Sequence, residues 1–444
     1  MKNFNPRWWR RASAALLVVG FAFLGARTGR AEESAAPAGQ FLLFSDLHLQ
    51  INERAGAGFG EFGKDATRLL VQSAFQAARS QCQNPLFILV TGDFLDHGYP
   101  TNHQPRLLGE ALGTVTKIVG WLTNDFPGVS VFPTLGNNDS LVHNQGQTPG
   151  FLRGFAECWQ GLITNPGDRA AFVTSFAANG CYRATLPGLA GVQLLGLNLT
   201  FKANDPAGFS ENPAWPEAPM AWAAKMLRGA QGSGEHFWLA YHVPPGRDFF
   251  KTNADGAFKG HWEDAPERNL VSLSVQPGVA ATFCGHTHRD EFRVIFDQDQ
   301  PAGFVHVIPS VSPVYFNHPA FQVCTVKKDG TITECSTYWL TNRLEDLAQA
   351  PDPAAGHWVK EYDFVHDYGL NAAGQPGRLD AAGLEQVRQK LRADTNAQRL
   401  YLESFAVRGP VAARSGTGKT KNNLDLGNFS AYYPLFAITN APGR

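Results

Sequence analysis

Charge of either sign is nearly balanced in this chain. Its 38 basic and 39 acidic side chains leave a formal net charge of −1. No basic stripe runs along it, which excludes a protein that coats nucleic acid, because neutralising phosphates takes clustered Lys and Arg. No polybasic tract is present for anionic lipid either. Internal repeats and long low-complexity tracts are absent. The apolar run at Ala12–Ala26 spans 15 residues, short of the roughly 20 that a membrane helix needs. Cysteines are few, six in 444 residues.

The N-terminal apolar run has a different explanation. Lys2, Arg7, Arg10 and Arg11 precede it, and Gly29-Arg30-Ala31 follows with small residues at cleavage-type positions. Residues 1–31 are therefore expected to be a signal peptide, with a secreted or periplasmic mature chain and no transmembrane segment. The Arg10-Arg11 pair leaves both the general and the twin-arginine export routes open. Without those residues, 32 basic and 39 acidic side chains remain, a net charge of −7.

All six cysteines lie in the mature part, an even number that permits disulfides. In CTVKKDGTITEC, Asp329-Gly330 signals a hairpin turn. A two-residue turn there sets Cys324 directly opposite Cys335, with Cα atoms about 4.5–5.5 Å apart and within disulfide reach. Cys158 with Cys181 is the next pairing to consider. Cys284, inside an apolar run, reads as a buried thiol.

Five short motifs each close such a run. They are Asp46-Leu47-His48, Gly92-Asp93-Phe94-Leu95-Asp96-His97, Gly136-Asn137-Asn138-Asp139, His242 in AYHVPPG, and Gly285-His286-Thr287-His288. The runs before them, such as QFLLFSD and LFILVTGD, suit strands buried on both faces. Between the first two lies helical spacing at Leu69, Leu70, Phe75 and Ala78, with Asp65 as a candidate cap. Strand-helix-strand order predicts parallel strands and an α/β layered fold, with ligands beyond the carboxyl ends of the strands. Gly92, Gly136 and Gly285 sit where the chain must turn sharply or let another group approach. Imidazole with carboxylate favours zinc, with manganese or iron as alternatives. Two adjacent divalent metal ions are the usual apparatus for hydroxide attack on phosphorus.

With these residues in view, the chain resembles the calcineurin-like metallophosphoesterases, and among them the acid sphingomyelinase-like phosphodiesterases. HVPPG at 242–246 and GHTHRDEF at 285–292 are the most specific matches. LNLTF at 197–201, IPSVSPVYFNHPAF at 308–321 and WVKEYDFVHDYGL at 358–370 extend the likeness over roughly residues 40–405. The resemblance implies a four-layer sandwich, two mixed β-sheets flanked by helices. It implies that Asp46, His48 and His288 hold one metal, that Asn137, His242 and His286 hold the other, and that Asp93 bridges them. Asp96 and Asp290 would orient ligand imidazoles. Relatives commonly have His after the ligand Asn, where it serves the departing oxygen. Here that position is Asn138, whose amide donates a hydrogen bond but supplies no proton at useful pH. His97 and His143 are the two candidates to supply it.

The substrate expected is a small phosphorylated molecule: a nucleotide or other phosphodiester, a phospholipid headgroup, or polyphosphate, since GNND is similar to the endopolyphosphatase motif. A binding protein that kept the fold without turnover is the opposing class, with Asn138 as its one support. The phosphoesterase domain is expected over residues 40–345. A helical C-terminal lobe and tail are expected over 346–444, after the break QAPDPAAG and with helical spacing at 381–405. EFRVIFD, GFVHVIP, FQVCTV and TITECSTYWL are expected to finish a second sheet. ARSGTGKT at 413–420 imitates a phosphate-binding loop, but such a loop requires a strand before it, where Gly409-Pro410 stands here, and a long helix after it, so a flexible linker is expected.

Overall fold

The computed structural model describes residues 37–53, 56–99, 105–142, 146–200, 217–249, 259–371, 377–409, 412–414, 420–423, 429–432 and 436–440. The expected signal segment lies outside them. Among the described residues no helix is long and apolar enough to cross a membrane.

Two mixed sheets form the centre. The first has six strands in the order Trp358–Asp363, Ile332–Leu340, Ala320–Lys327, Pro37–Phe44, Phe87–Val90, Ser130–Pro133. Its last three run parallel, and the others pair antiparallel. The second has seven, in the order Ala437–Asn440, Glu291–Asp297, Gln300–Val307, Val279–Cys284, His236–Ala240, Val192–Gly196, Tyr182–Thr185. The inner strands of this sheet, from Val192–Gly196 through His236–Ala240 and Val279–Cys284 to Gln300–Val307, are parallel.

The sheets face each other across aromatic side chains. Phe41 lies 5.2 Å from Trp238 and 6.2 Å from Phe283, and Phe87 lies 5.9 Å from Trp238. Side chains alternate along a strand, so Phe44 points outward, where it meets Phe75 of helix Arg68–Gln81. Behind the second sheet, Leu195, Leu239 and Val305 pack with Ala223 and Leu227 of helix Glu217–Gly229 and Leu270 of helix Asp264–Ser274. Helix, sheet, sheet and helix make the expected four layers. Both faces of the strands are covered, which is why their sequences read as apolar runs rather than alternating ones.

Three sequence expectations change. The four late strands divide between the sheets: Glu291–Asp297 and Gln300–Val307 join the second, while Ala320–Lys327 and Ile332–Leu340 join the first. Chain after residue 345 completes both sheets, through Trp358–Asp363 in one and Ala437–Asn440 in the other. Its helix Ala381–Ala393 packs on the second sheet, with Arg388 over the Phe296 ring. The cap of helix Arg68–Gln81 is Thr67, whose hydroxyl accepts from Leu70 N–H, and not Asp65.

Cys324 and Cys335 form a disulfide with Cα atoms 4.1 Å apart, directly opposed in register. The route to that register differs from the simple turn. Lys327 N–H donates to the Thr331 carbonyl and Gly330 has φ +84°, so the loop is one residue longer. A bulge at Thr333, between the pairs Val326–Ile332 and Thr325–Glu334, shifts the register back. Cys158 and Cys181 are not bonded to each other. Cys181 is buried in the core behind the second sheet, and Cys158 packs against the other core cluster with its Sγ 3.4 Å from Thr116 Oγ1. Cys284 is buried and free, as expected. Either side of the phosphate-loop imitation, Ala412–Arg414 and Thr420–Asn423 pair as a hairpin.

Candidate metal centre

Parallel strands deliver their carboxyl ends to one rim. Asp46 follows Pro37–Phe44, Asp93 follows Phe87–Val90, Asn137 follows Ser130–Pro133, His242 follows His236–Ala240, and His286 and His288 follow Val279–Cys284. Leaving a strand so abruptly strains the backbone. Asp46, His48, Asp93, His286 and His288 have φ of 50°, 40°, 54°, 74° and 58°. Such conformations cost roughly 1–3 kcal/mol each and persist where the surrounding structure enforces them. Asp and His tolerate them better than most side chains. The glycines have a second reason. A Cβ on Gly136 would collide with the Asp93 carboxylate, and one on Gly285 with Ser45 Oγ.

Two donor clusters result. Asp46, His48 and His288 bring ligand atoms within 4.8 Å of one another, and so do Asp93, His242 and His286. Asp93 Oδ2 stands between them, 3.4 Å from His48 Nε2 and 3.2 Å from His242 Nε2. Asn137 Oδ1 lies 2.9 Å from His286 Nδ1. His48 Nε2 and His288 Nε2 face each other at 3.1 Å beside two carboxylates. A divalent cation fits such a set, because converging imidazole lone pairs and carboxylate oxygens are what Zn, Mn or Fe sites use.

The supporting contacts differ from expectation. His48 Nδ1 lies 3.0 Å from the Leu95 carbonyl and His242 Nδ1 2.7 Å from the Thr91 carbonyl. Backbone oxygens, not Asp96 and Asp290, turn these rings so that Nε2 faces the site. Asp96 accepts from Ile51 N–H and pairs with Arg106. Asp290 accepts from Thr337, Gln322 and Tyr362 of the first sheet. Asp46 is held by Ser45 Oγ at 2.5 Å and His286 N–H at 3.0 Å.

Asp139 is the supporting residue that sequence reasoning left without a role. Its buried carboxylate accepts from the backbone N–H groups of Asp93, Phe94 and Gly136, each at 2.8 Å, and of Leu95 at 3.1 Å. It ties the two turns carrying Asp93 and Asn137 together. Asn138 holds the Asp93 carboxylate itself. Its N–H donates to Asp93 Oδ1 at 2.7 Å and its side-chain amide to Oδ2 at 2.9 Å. His97 stacks on His48, ring centroids 4.2 Å apart, and lies edge-on to Tyr315. His143 lies outside the described residues.

Charge in the cluster is uneven. Burial pulls the His48 and His242 imidazoles down, but the Asp93 and Asp46 carboxylates outweigh it and leave both at about 9. Burial and the neighbouring imidazolium, His242 for one and His48 for the other, hold His286 and His288 well below the usual range. Burial raises Asp93, yet the His242 and His48 charges bring it well below the ordinary carboxylate range. Burial, then the Asp93 charge, push Asp139 up to about 7. Metal ligation requires neutral imidazole. At neutral pH the cluster therefore holds protons on His48 and His242 that a cation must displace. Metal loading is expected to release protons at pH 7, and affinity to rise with pH up to about 9. Calorimetric titration in buffers of different ionisation enthalpy measures the release. An identical heat in every buffer would contradict it.

The family model for the calcineurin-like phosphoesterases matches residues 39–290, more than half of the chain. The protein belongs to that family. This phosphoesterase is 29% identical over 324 residues to the sphingomyelinase phosphodiesterase D of Dictyostelium discoideum, covering 70% of this chain and 68% of that one. It is 28% identical over 375 residues to the human acid sphingomyelinase-like phosphodiesterase 3b, covering 76% and 77%. A cyclic GMP-AMP phosphodiesterase of Mus musculus is 27% identical over 399 residues, covering 82% and 85%. The sphingomyelinase-like resemblance seen in HVPPG and GHTHRDEF is borne out.

Proposed function

We propose that this phosphoesterase is an exported enzyme that hydrolyses small phosphodiesters at a pair of divalent metal ions. The observation that carries the reading is the position of Asp93 Oδ2, between two clusters of His and Asp donors. Asp46, His48 and His288 would hold one ion, Asn137, His242 and His286 the other, and Asp93 both, with zinc favoured and manganese or iron also suited. Such ions supply Lewis acidity toward phosphoryl oxygen and lower the pKa of water.

The chain's own residues do the rest. The Leu95 and Thr91 carbonyls keep His48 and His242 in the tautomer that presents Nε2. Asn138 and Asp139 keep the Asp93 carboxylate in place. His97 gives its proton to the departing oxygen. Substrates cleaved by the relatives, as their names state, are sphingomyelin and cyclic GMP-AMP. In both chemistries an alcohol leaves, so a nucleotide or a phospholipid headgroup is the substrate class for this chain. The Cys324–Cys335 disulfide supports export, because such bonds persist in oxidising compartments.

A substrate panel with metal analysis tests the reading. It comprises bis-p-nitrophenyl phosphate, p-nitrophenyl phosphate, ATP, polyphosphate and sphingomyelin under several metals. Two metals per chain and a preference for diesters are expected. Polyphosphate as the preferred substrate would move the assignment to phosphoanhydrides, and no turnover on any substrate would leave a binding protein.

His97→Ala tests the proton donor. An alkoxide needs a proton to leave, and a positioned His contributes about 10²–10⁴-fold. A nitrophenolate leaves without one. The variant should lose activity of that order on alkyl diesters and keep most of it on nitrophenyl esters. Equal losses on both would mean that His97 organises the site and donates no proton.

A further inference from the structure

Asp65 was set aside by its own helix, since Thr67 caps it. It turns instead to a residue 32 positions away. Asp65 Oδ1 lies 2.7 Å from His97 Nδ1, and Asp65 Oδ2 accepts the His97 backbone N–H at 2.9 Å. Both oxygens of one carboxylate are thus used on one histidine, one on its ring and one on its main chain. The two side chains are mostly buried, 15% and 29% exposed. The ring has little freedom left, with the His48 ring stacked on one side and Tyr315 at its edge.

We infer that Asp65 is a positioning residue for His97, fixing its ring so that Nδ1–H is engaged and Nε2 is the nitrogen left for the substrate side. The inference rests on the proposed role of His97 and adds the group that makes that role directional. A carboxylate that accepts Nδ1–H selects the tautomer and orientation of a catalytic imidazole, and its amide replacement presents the wrong partner. Asp65→Asn keeps the size and loses one of two acceptors. Turned one way its NH₂ meets the backbone N–H donor, and turned the other it meets the ring, where only the tautomer with Nδ1 bare can accept it.

The experiment is a double-mutant cycle with Asp65→Asn and His97→Ala in the full, metal-loaded chain. Turnover is read on glycerophosphocholine, whose leaving group is an alkoxide, and on bis-p-nitrophenyl phosphate. Asp65→Asn is expected to lower the ratio of alkyl to aryl turnover by about 10–100-fold, the usual effect of an orienting partner. Added to His97→Ala it should cost nothing further, because the group it positions is gone. Additive losses in the double variant, or an unchanged ratio in Asp65→Asn, overturn the proposal. Equal losses on the two substrates in His97→Ala alone would overturn proton donation by His97, while the cycle still decides whether Asp65 acts through it. A measurement on the unaltered protein guards against misfolding of the variants. The nitrogen-15 histidine spectrum, compared with that of His97→Ala, should show His97 protonated at Nδ1, and a bare Nδ1 would sink the assignment.

Discussion

Asp93→Asn is expected to fold, to lose both metals and to lose nearly all turnover. Asp93 Oδ2 lies within 3.4 Å of imidazole nitrogens from both clusters, so its change weakens each of them at once. The replacement removes a negative charge that offsets the His48 and His242 cations. It also meets two donors. Asn138 offers N–H to one carboxylate oxygen and its amide to the other, so the NH₂ of the substituted side chain must face one of them. A residue that only orients a ligand costs about 10–100-fold when changed. The loss in kcat/KM here should exceed that range, with the far-ultraviolet circular dichroism unchanged. Two metals per chain with retained turnover would refute the bridging assignment.

Asp139→Ala should be the most destabilising single change at this rim. It strips the acceptor from four backbone N–H groups, those of Asp93, Phe94, Leu95 and Gly136. Each buried donor left without a partner costs about 1–3 kcal/mol, and water entering the space will recover part of it. A loss of about 2–6 kcal/mol follows if two of the four stay unpaired. Because the strained turn at Asp93 depends on these bonds, metal affinity should fall with stability. Thermal unfolding and metal titration measure the two together. A variant with the stability and metal content of the parent would show that the turn holds itself.

What the sequence made legible follows from what kind of signal each feature leaves. Nine of the thirteen strands in the two sheets are visible as apolar runs, and the candidate ligands as His, Asp and Asn ending five of them, whereas Tyr182–Thr185, Val192–Gly196, Trp358–Asp363 and Ala437–Asn440 are not. Asp65 and Asp139 were not legible either, because their partners, Gly136 apart, are main-chain N–H groups and a ring 32 to 46 positions away, which no local spacing encodes. Asp96 and Asp290 misled for the complementary reason. They stand next to the motifs in sequence, but the strand exit turns them toward Arg106 and the first sheet. The assignment of late strands to a sheet failed because apolar runs do not say which of two facing sheets they enter. The Cys324–Cys335 register came out as expected through two opposite one-residue shifts, a longer loop and a bulge, which a turn signal alone does not reveal.

The hydrogen bond from His286 N–H to the Asp46 carboxylate spans 240 residues of chain. A contact of that sequence distance lies late on any folding path, since the intervening loop must be closed before the bond rewards it. During synthesis, Asp46 and His48 leave the ribosome long before His286 and His288 exist. A nascent chain that stops before His286 therefore offers a cation two of the three members of each cluster and neither cluster in its finished geometry. A complete cluster has to wait for the turn after Val279–Cys284, so under the proposed reading the compartment where folding ends, not the one where synthesis begins, is expected to decide which metal is bound.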